Sequence, residues 1–135
     1  MLFRSAGDSR WVHRPAADWQ QRALIQQHPD TPSGWIFAEL TRLIQLRIEQ
    51  PAIWDGAMEV IETGNPQLFG FVRQHAGQRL LVVANFSEQP REMDANRLRV
   101  YGPGYSFTDL IAGNGIAAEG PLQLEAYQCV WLTTA

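Results

Sequence analysis

The residues with the clearest potential for binding chemistry lie close together near the start of the sequence. Arg10, Trp11, His13 and Arg14 fall within one short run. The two guanidinium groups offer planar sets of hydrogen-bond donors, and the indole ring offers an apolar face on which a sugar ring can stack. Spacing alone favours a structural role instead, in which the arginines pair with acids to clamp a loop, the histidine is hydrogen-bonded scaffold and the tryptophan packs. A binding role for this run therefore needs support from the rest of the sequence.

Self-contained catalytic and metal-binding patterns are missing from the sequence. It has no glycine-rich phosphate loop and no paired cysteines, and its three histidines, His13, His28 and His75, lie in separate segments. A metal site or a cofactor is therefore not expected. Ser87 lacks the surrounding glycines of a nucleophile elbow, and nothing marks two of the 14 acidic residues as a glycosidase pair. We predict no catalytic residue in this chain.

Composition and charge indicate a globular protein that does not bind nucleic acid or membranes. The 135 residues carry a net charge of -3 and form no basic cluster, so contacts to phosphates are not favoured. No apolar run reaches the roughly 18 residues of a membrane span, and no signal peptide is recognisable. We therefore expect a cytoplasmic location. The single cysteine, Cys129, cannot form a disulfide within the chain and is expected to pack as a small apolar side chain.

Helical periodicity is confined to the first 50 residues. The strongest helix is predicted from Ser33 to Gln50, with Thr31 or Ser33 as its N-cap and Pro51 ending it. A shorter helix, capped by Asp18, is predicted from Asp18 to Gln27. The longer helix carries an apolar stripe at helical spacing, formed by Ile36, Phe37, Leu40, Leu43, Ile44 and Ile48.

After Pro51 the sequence changes to short apolar and β-branched runs separated by Gly, Asn and Pro, which is typical of an antiparallel sandwich. The predicted strands are Met58 to Thr63, Leu68 to Gln74, Arg79 to Phe86, Glu92 to Asp94, Phe107 to Leu110, Leu122 to Glu125 and Tyr127 to Thr133.

Turn residues and apolar patterning refine this arrangement. Hairpins are predicted at Thr63 to Gln67, at His75 to Gln78 and at Gly113 to Gly115, where Gly, Asn and Pro favour turns. The run from Leu80 to Ala84 is apolar at successive positions, which indicates a central strand covered on both faces.

These patterns together predict an α+β fold, with one or two N-terminal helices followed by an antiparallel β-sandwich. The boundary between the two parts is placed at Pro51, which gives residues 1–50 and 51–135. Trp35, Trp54 and Trp131 are expected to lie in the core rather than to stack sugars on the surface.

The order of motifs resembles the C-terminal end of amylosucrases and sucrose hydrolases, which belong to glycoside hydrolase family 13 of the α-amylase superfamily. GDSRWVHRP begins the series at Gly7. The later motifs, in order, are GFVR from Gly70, VVANFS from Val82, DLIAG from Asp109 and AYQCVWL from Ala126. The resemblance covers nearly the whole chain.

In that family the first motif is a loop near the end of the catalytic (β/α)8 barrel, and the segment like Ile36 to Ile48 is the last barrel helix. The sequence that follows forms a β-sandwich called domain C. The resemblance therefore implies that residues 1–50 are the end of a barrel and that residues 51–135 are domain C. A complete barrel needs roughly 250 residues, so most of it would lie elsewhere.

The resemblance also assigns roles to individual residues. Arg10 would help to close a sucrose pocket by pairing with an acid of the barrel, while Arg14 and His13 would hold the loop. The family's catalytic carboxylates come from earlier barrel strands and have no counterpart here. The resemblance thus implies an enzyme that transfers the glucosyl unit of sucrose to water or to α-glucan, of which this chain is an inactive segment. Sucrose or α-glucan would be bound only by the complete enzyme.

Two functions remain open. In the first, the chain completes and stabilises a catalytic barrel; in the second, it is a standalone sandwich without catalysis that binds α-glucan or a protein partner. The helix stripe distinguishes them, because Ile36, Phe37, Leu40 and Leu43 would pack on barrel strands in a complete enzyme and need another cover otherwise. Self-association through this helix face is expected for the chain alone.

Overall fold

The computed structural model describes residues 18–134. They belong to two compact units, of which the first ends at Arg42 and the second begins at Leu43. The helices are α1 (Trp19–Gln27), α2 (Pro32–Glu49), α3 (Pro51–Asp55) and α4 (Ala95–Tyr101). The strands are β1 (Ala57–Val60), β2 (Leu68–His75), β3 (Gln78–Asn85), β4 (Arg91–Met93), β5 (Ser106–Asp109), β6 (Asn114–Ala117), β7 (Leu122–Leu124) and β8 (Cys129–Thr134).

The two predicted N-terminal helices are present, and side chains cap both of them. The Asp18 carboxylate accepts hydrogen bonds from the backbone N–H groups of Gln20 and Gln21, both at 3.0 Å, which fixes the start of α1. The Thr31 hydroxyl accepts from the Gly34 N–H at 3.1 Å and caps α2 in the same way. Both cap predictions are therefore confirmed.

Pro51 ends α2 as predicted, but it also begins a helix that was not predicted. It occupies the first turn of α3, where its missing N–H costs nothing. The strand region therefore begins only at Ala57. Five residues are too few for helical periodicity to be visible in the sequence.

The strands form two antiparallel sheets. The larger has six strands in the order β1-β2-β3-β8-β5-β6, and the smaller pairs β4 with β7. The main core lies between the six-stranded sheet on one side and the two-stranded sheet with α4 on the other. Its buried members include Leu81, Val83, Phe107, Met93 and Leu98. This arrangement confirms the predicted α+β fold with an antiparallel sandwich.

The central strand has the predicted character. In β3, Leu81 and Val83 point into the main core, while Leu80 and Val82 are buried on the opposite side against Ala52 of α3. Its neighbours β2 and β8 pair with it along its length. Burial on both faces explains the unbroken apolar run.

The three predicted hairpins are confirmed. The β2–β3 hairpin pairs His75 with Gln78, and its turn residues Ala76 and Gly77 both have positive φ, at 47° and 83°, as a two-residue type I′ turn requires. In the connection from β1 to β2, the Leu68 N–H donates to the Asn65 carbonyl at 3.0 Å. Strands β5 and β6 are joined by a turn that ends at Gly113.

Three further differences from the predicted strands are corrections. Strand β6 was not predicted, because Asn114 and Gly115 have low β propensity and only pairing with β5 makes them a strand. Helix α4 was missed because it is seven residues long and buries only Leu98. Strand β8 begins at Cys129 rather than at Tyr127, because Tyr127 has a positive φ of 58° and cannot continue the ladder.

The prediction that most tryptophans lie in the core was wrong for two of the three. Trp35 and Trp54 are each more than half exposed, and Trp131 is half-buried. None of the helices formed by residues 18–134 is both long and apolar enough to cross a membrane.

Candidate functional site

The residues predicted to contribute to a sugar pocket, Arg10, His13 and Arg14, lie outside the described residues. Their roles stay predictions. The described part of the chain instead shows which polar residues hold the domain together and which apolar surfaces it leaves open.

The motif VVANFS contains a buried structural anchor. Asn85, only 3% exposed, lies at the end of β3. Its amide nitrogen donates to the carbonyl groups of Gln89 and Glu125, both at 2.8 Å. Its amide oxygen accepts from the N–H and the hydroxyl of Ser87, at 2.9 and 2.8 Å. Asn85 therefore joins β3 to the segment that follows β7, and the Ser87 hydroxyl is used for structure rather than as a nucleophile.

The motif DLIAG contains a second anchor of the same kind. Asp109 is 2% exposed, and its carboxylate accepts from the backbone N–H groups of Ile111 and Trp131, both at 3.0 Å. These bonds fix the β5–β6 turn and attach it to β8. Among residues 18–134 it is the one buried acid, and both bonds serve the backbone.

Other acids of the described region lie at the surface and make local contacts. Glu92 accepts from the side-chain amide of Gln123 at 2.8 Å, and Asp94 caps α4 by accepting from the Asn96 N–H at 2.8 Å. Within residues 18–134, no group of three or more His, Cys, Asp and Glu side chains could hold a metal ion.

Cys129 behaves as the predicted small, half-buried side chain. Burial raises the pKa of its thiol, and the nearby charge of Asp109 acts in the same direction, while a hydrogen bond involving Trp131 opposes them. The thiol form is therefore favoured, which is the opposite of what a nucleophilic cysteine needs.

The apolar stripe of α2 is largely open to solvent. Ile36, Leu40, Ile44 and Ile48 are each more than half exposed. In the second unit, Ile44 and Ile48 line a hollow of 510 Å³ together with Arg47 and with Trp54 of α3. The Trp54 side chain is 60% exposed. Exposed apolar side chains at this density are typical of a surface that another protein covers.

A second apolar surface lies on the six-stranded sheet, on the side opposite the main core. We call it the outer face. Strand register places on it alternate residues of β1, β2, β3 and β8. Its exposed members are Met58, Val60, Phe69 and Phe86, and its half-buried members include Phe71, Ala84, Cys129 and Trp131.

Helix α3 covers one end of the outer face and is fastened there by β2. Its Ala52 packs on Leu80 and Val82. The Arg73 guanidinium donates to the carbonyl groups of Ala52 and Gly56, at 2.8 and 2.6 Å. Those carbonyls lie at and beyond the C-terminal half of α3, where a cation is favoured.

The sheet and its flanking turns coincide with a known protein family. Residues 58–131, which run from β1 into β8, match the family model described as Maltogenic Amylase, C-terminal domain. The chain belongs to this family. As a maltogenic amylase C-terminal domain, it is a domain C of glycoside hydrolase family 13.

Curated relatives agree with this membership. An oligo-1,6-glucosidase of Bacillus cereus is 29% identical over 94 residues, which cover 65% of this chain and 15% of that protein. An oligo-1,6-glucosidase of Halalkalibacterium halodurans is 41% identical over 51 residues, covering 38% of this chain and 9% of that protein.

Solved structures resemble the chain in fold as well. Trehalulose synthase MutB from Pseudomonas mesoacidophila MX-45 has a TM-score of 0.54 with 26% identity, over 68% of this chain and 16% of that one. A MutB variant in complex with the substrate sucrose has a TM-score of 0.60 with 21% identity, over 93% of this chain and 21% of that one. The chain thus spans between 9 and 21% of the length of these proteins.

The resemblance inferred from the sequence motifs is therefore confirmed at the level of the α-amylase superfamily, while the amylosucrase branch stays a prediction. Sequence reasoning recognised the motifs VVANFS and DLIAG but not the anchoring roles of Asn85 and Asp109 within them. It also missed the outer face, although the unbroken apolar run in β3 was a signal that both faces of the sheet need cover.

Proposed function

We propose that this domain is the C-terminal segment of a sucrose-active α-glucosyltransferase or hydrolase, and that it completes and stabilises the catalytic barrel of that enzyme. The segment supplies no catalytic carboxylate of its own. The transferred glucosyl unit would go to water or to a growing α-glucan, and the enzyme would act in the cytoplasm.

The observation that carries this proposal is the family match, taken with the relatives' lengths. Residues 58–131 match a domain defined as the C-terminal part of an amylase. The relatives are glucosidases and a trehalulose synthase several times longer than this chain. Sucrose is the substrate in one MutB structure, and this supports sucrose as the substrate here.

The exposed stripe of α2 supports a stabilising role. Ile36, Leu40, Ile44 and Ile48 present branched apolar side chains on one side of a single helix. Burying each such side chain is worth about 1.5–3 kcal/mol. A barrel strand layer is an apolar surface of the kind that this stripe would cover.

The run around Arg10 supports a contribution to the sucrose pocket. A guanidinium paired with a buried carboxylate of the barrel is directional, and its remaining donors can reach sugar hydroxyls. Arg14 and His13 would hold the loop in position. The acid that pairs with Arg10 would belong to the barrel.

The first experiment is to determine the coding sequence upstream of the Met1 codon and to express the polypeptide that it encodes. A preceding barrel with two catalytic carboxylates, and turnover of sucrose by the longer protein, are expected. Products identified by chromatography then separate hydrolysis from glucan synthesis. A stop codon just upstream, or a longer protein inactive on sucrose but active on another α-glucoside, would contradict the proposal.

Arg10→Ala in the longer protein tests the pocket residue. We expect kcat/KM for sucrose to fall on the order of a hundredfold, which corresponds to about 2.7 kcal/mol of transition-state stabilisation. Arg22→Ala is the matched control, because Arg22 is an exposed arginine of α1 that lies over the Trp19 ring. Equal kinetics for the two variants would remove Arg10 from the site.

The helix stripe predicts how the short chain behaves by itself. We propose that it self-associates through the exposed face of α2, and that Ile44→Ser with Ile48→Ser makes it monomeric in sedimentation experiments. A monodisperse wild-type monomer that is retarded strongly by soluble starch in native gels would favour a standalone glucan-binding module instead.

A further inference from the structure

The outer face of the six-stranded sheet is covered at one end and open at the other. Helix α3 covers Leu80 and Val82. Beyond it, Met58, Val60, Phe69 and Phe86 are exposed. We call this exposed region the open half of the outer face. It is a different surface from the stripe of α2, because it is made by strands of the sheet.

We propose that the open half binds an apolar surface of the catalytic domain that precedes this segment in the same polypeptide. This inference rests on the proposed function and adds to it a second contact, which is made by the sheet. The occupant is therefore protein, and it belongs to the same chain.

The chemistry of the open half favours protein over carbohydrate. Its side chains are methionine, valine, phenylalanine and alanine, and Cys129 is the single ionisable group that the register of β1, β2, β3 and β8 places there. Sugar hydroxyls need converging hydrogen-bond partners, which this surface does not offer. The rings of Phe69 and Phe71 are also tilted by 49° at a centroid distance of 6.0 Å, so they do not form a flat stacking platform.

The absence of charge here resembles the centre of a protein interface. Interface cores are depleted of charged residues and enriched in aromatic residues and methionine. The outer face has one cation in these strands, Arg73, and its guanidinium is engaged by the carbonyl groups of Ala52 and Gly56. No charge must lose its water for another apolar surface to dock on the open half.

Continuity with α3 indicates which protein the partner is. The covered end of the face is covered by the part of the chain that directly precedes the sheet. In the relatives and in MutB, the matching region is at most 21% of the length. A further part of the preceding polypeptide is therefore the occupant that extends a contact already present, whereas a second copy would have to begin a new one.

Phe86→Ser tests the contact, because Phe86 is 71% exposed and its replacement removes almost nothing from the core. Tyr105→Ser is the matched control, since Tyr105 is 78% exposed and immediately precedes β5, away from β1 to β3. Each variant is made in the short chain and in the longer protein that includes the upstream domain. Thermal unfolding and peptide-resolved labelling of Cys129 by iodoacetamide are measured at one pH.

In the longer protein, we expect Phe86→Ser to lower the unfolding midpoint by several degrees and Tyr105→Ser to leave it unchanged. In the short chain, neither substitution should lower it. Cys129 should be labelled at least tenfold more slowly in the longer protein than in the short chain. Equal midpoints for the two variants of the longer protein, together with equal labelling rates, would overturn the proposal.

Other occupants give different results. Retardation of the longer protein by soluble starch that disappears in Phe86→Ser would overturn the proposal in favour of a glucan site. A concentration-dependent dimer of the longer protein that Phe86→Ser dissociates would overturn it in favour of a second copy. Docking stands if the longer protein shows the expected midpoint shift and protection but does not turn over sucrose, because only the substrate assignment then fails.

Discussion

The two faces of the six-stranded sheet carry similar side chains and differ in what covers them. On the inner face, the two-stranded sheet and α4 bury Phe107, Leu81 and Val83 completely. On the outer face, α3 covers one end, and residues such as Phe69 and Phe86 are exposed. The inner face therefore supplies the cohesion of the domain by itself, and the outer face is suited to joining the domain to something else.

Polar anchors occur on the same side as the closed core. Asn85 and Asp109 are buried and bind backbone groups of neighbouring segments. Such anchors make one arrangement of strands and turns strongly preferred, because any other leaves buried polar groups without partners. The outer face uses one cation, Arg73, to fasten α3. The comparison predicts that substitutions of equal chemistry have very different effects on the two faces.

The largest expected effect comes from one pair of phenylalanines. Phe107→Ala removes a side chain that is 0% exposed and leaves a cavity, so we expect the free energy of unfolding of the short chain to fall by about 3–5 kcal/mol. Phe86→Ala on the outer face should cost less than about 0.5 kcal/mol. Urea unfolding followed by tryptophan fluorescence measures both.

Equal losses for Phe107→Ala and Phe86→Ala would break the comparison, because the outer face would then be filled in the short chain too. Self-association is the way in which that could happen. Repeating the unfolding curves at two protein concentrations identifies it, since the midpoint of an associating protein depends on concentration.

The sequence predicted much of the inner face because its signals are local. Leu122 and Leu124 alternate with polar residues, and Gly77 and Gly113 mark turns. The run in β3 could be assigned to a central strand without knowing its partners. These signals depend on one strand or one turn at a time.

The parts that could not be predicted depend on contacts between distant segments. Strand β6 has a poor strand sequence and exists because β5 pairs with it. Helix α3 is held on the sheet by Arg73, 21 residues beyond Ala52 in the chain. The outer face is assembled from β1, β2, β3 and β8, so its apolar character becomes visible only when strand order is known.

The next largest effect concerns the anchor that joins β3 to the end of β7. Asn85→Ala removes the donor for the buried carbonyl groups near Glu125 and the acceptor for Ser87. We expect a loss of about 1–3 kcal/mol, the cost of leaving buried polar groups without partners. Asn114→Ala in exposed β6 is the matched control and should change unfolding by less than about 0.5 kcal/mol. If both variants unfold alike in urea, Asn85 does not anchor the fold.

A smaller and opposite effect is expected at the β2–β3 hairpin. Ala76 has a φ of 47°, which costs an alanine energy that asparagine largely avoids, and Asn-Gly is the favoured pair in type I′ turns. Ala76→Asn should therefore stabilise the domain by about 0.5–1 kcal/mol. Ala112→Asn is the control, because that alanine is exposed and is not among the residues with positive φ. A destabilised Ala76→Asn variant would show that the turn differs from the one described.

The smallest effect concerns the chemistry of Cys129, which reports on the outer face directly. Burial first, and the charge of Asp109 second, raise the pKa of this thiol above its ordinary value of 9.0. The half-maximal rate of alkylation should therefore occur above pH 9.0, at a higher pH than for an unfolded control peptide. A folded-state pKa above the unfolded one also means that stability is unaffected below pH 9.0 and declines slightly as the pH rises past it. A half-maximal rate at or below pH 9.0 would show that the half of the outer face around Cys129 is more hydrated than its half-buried position indicates.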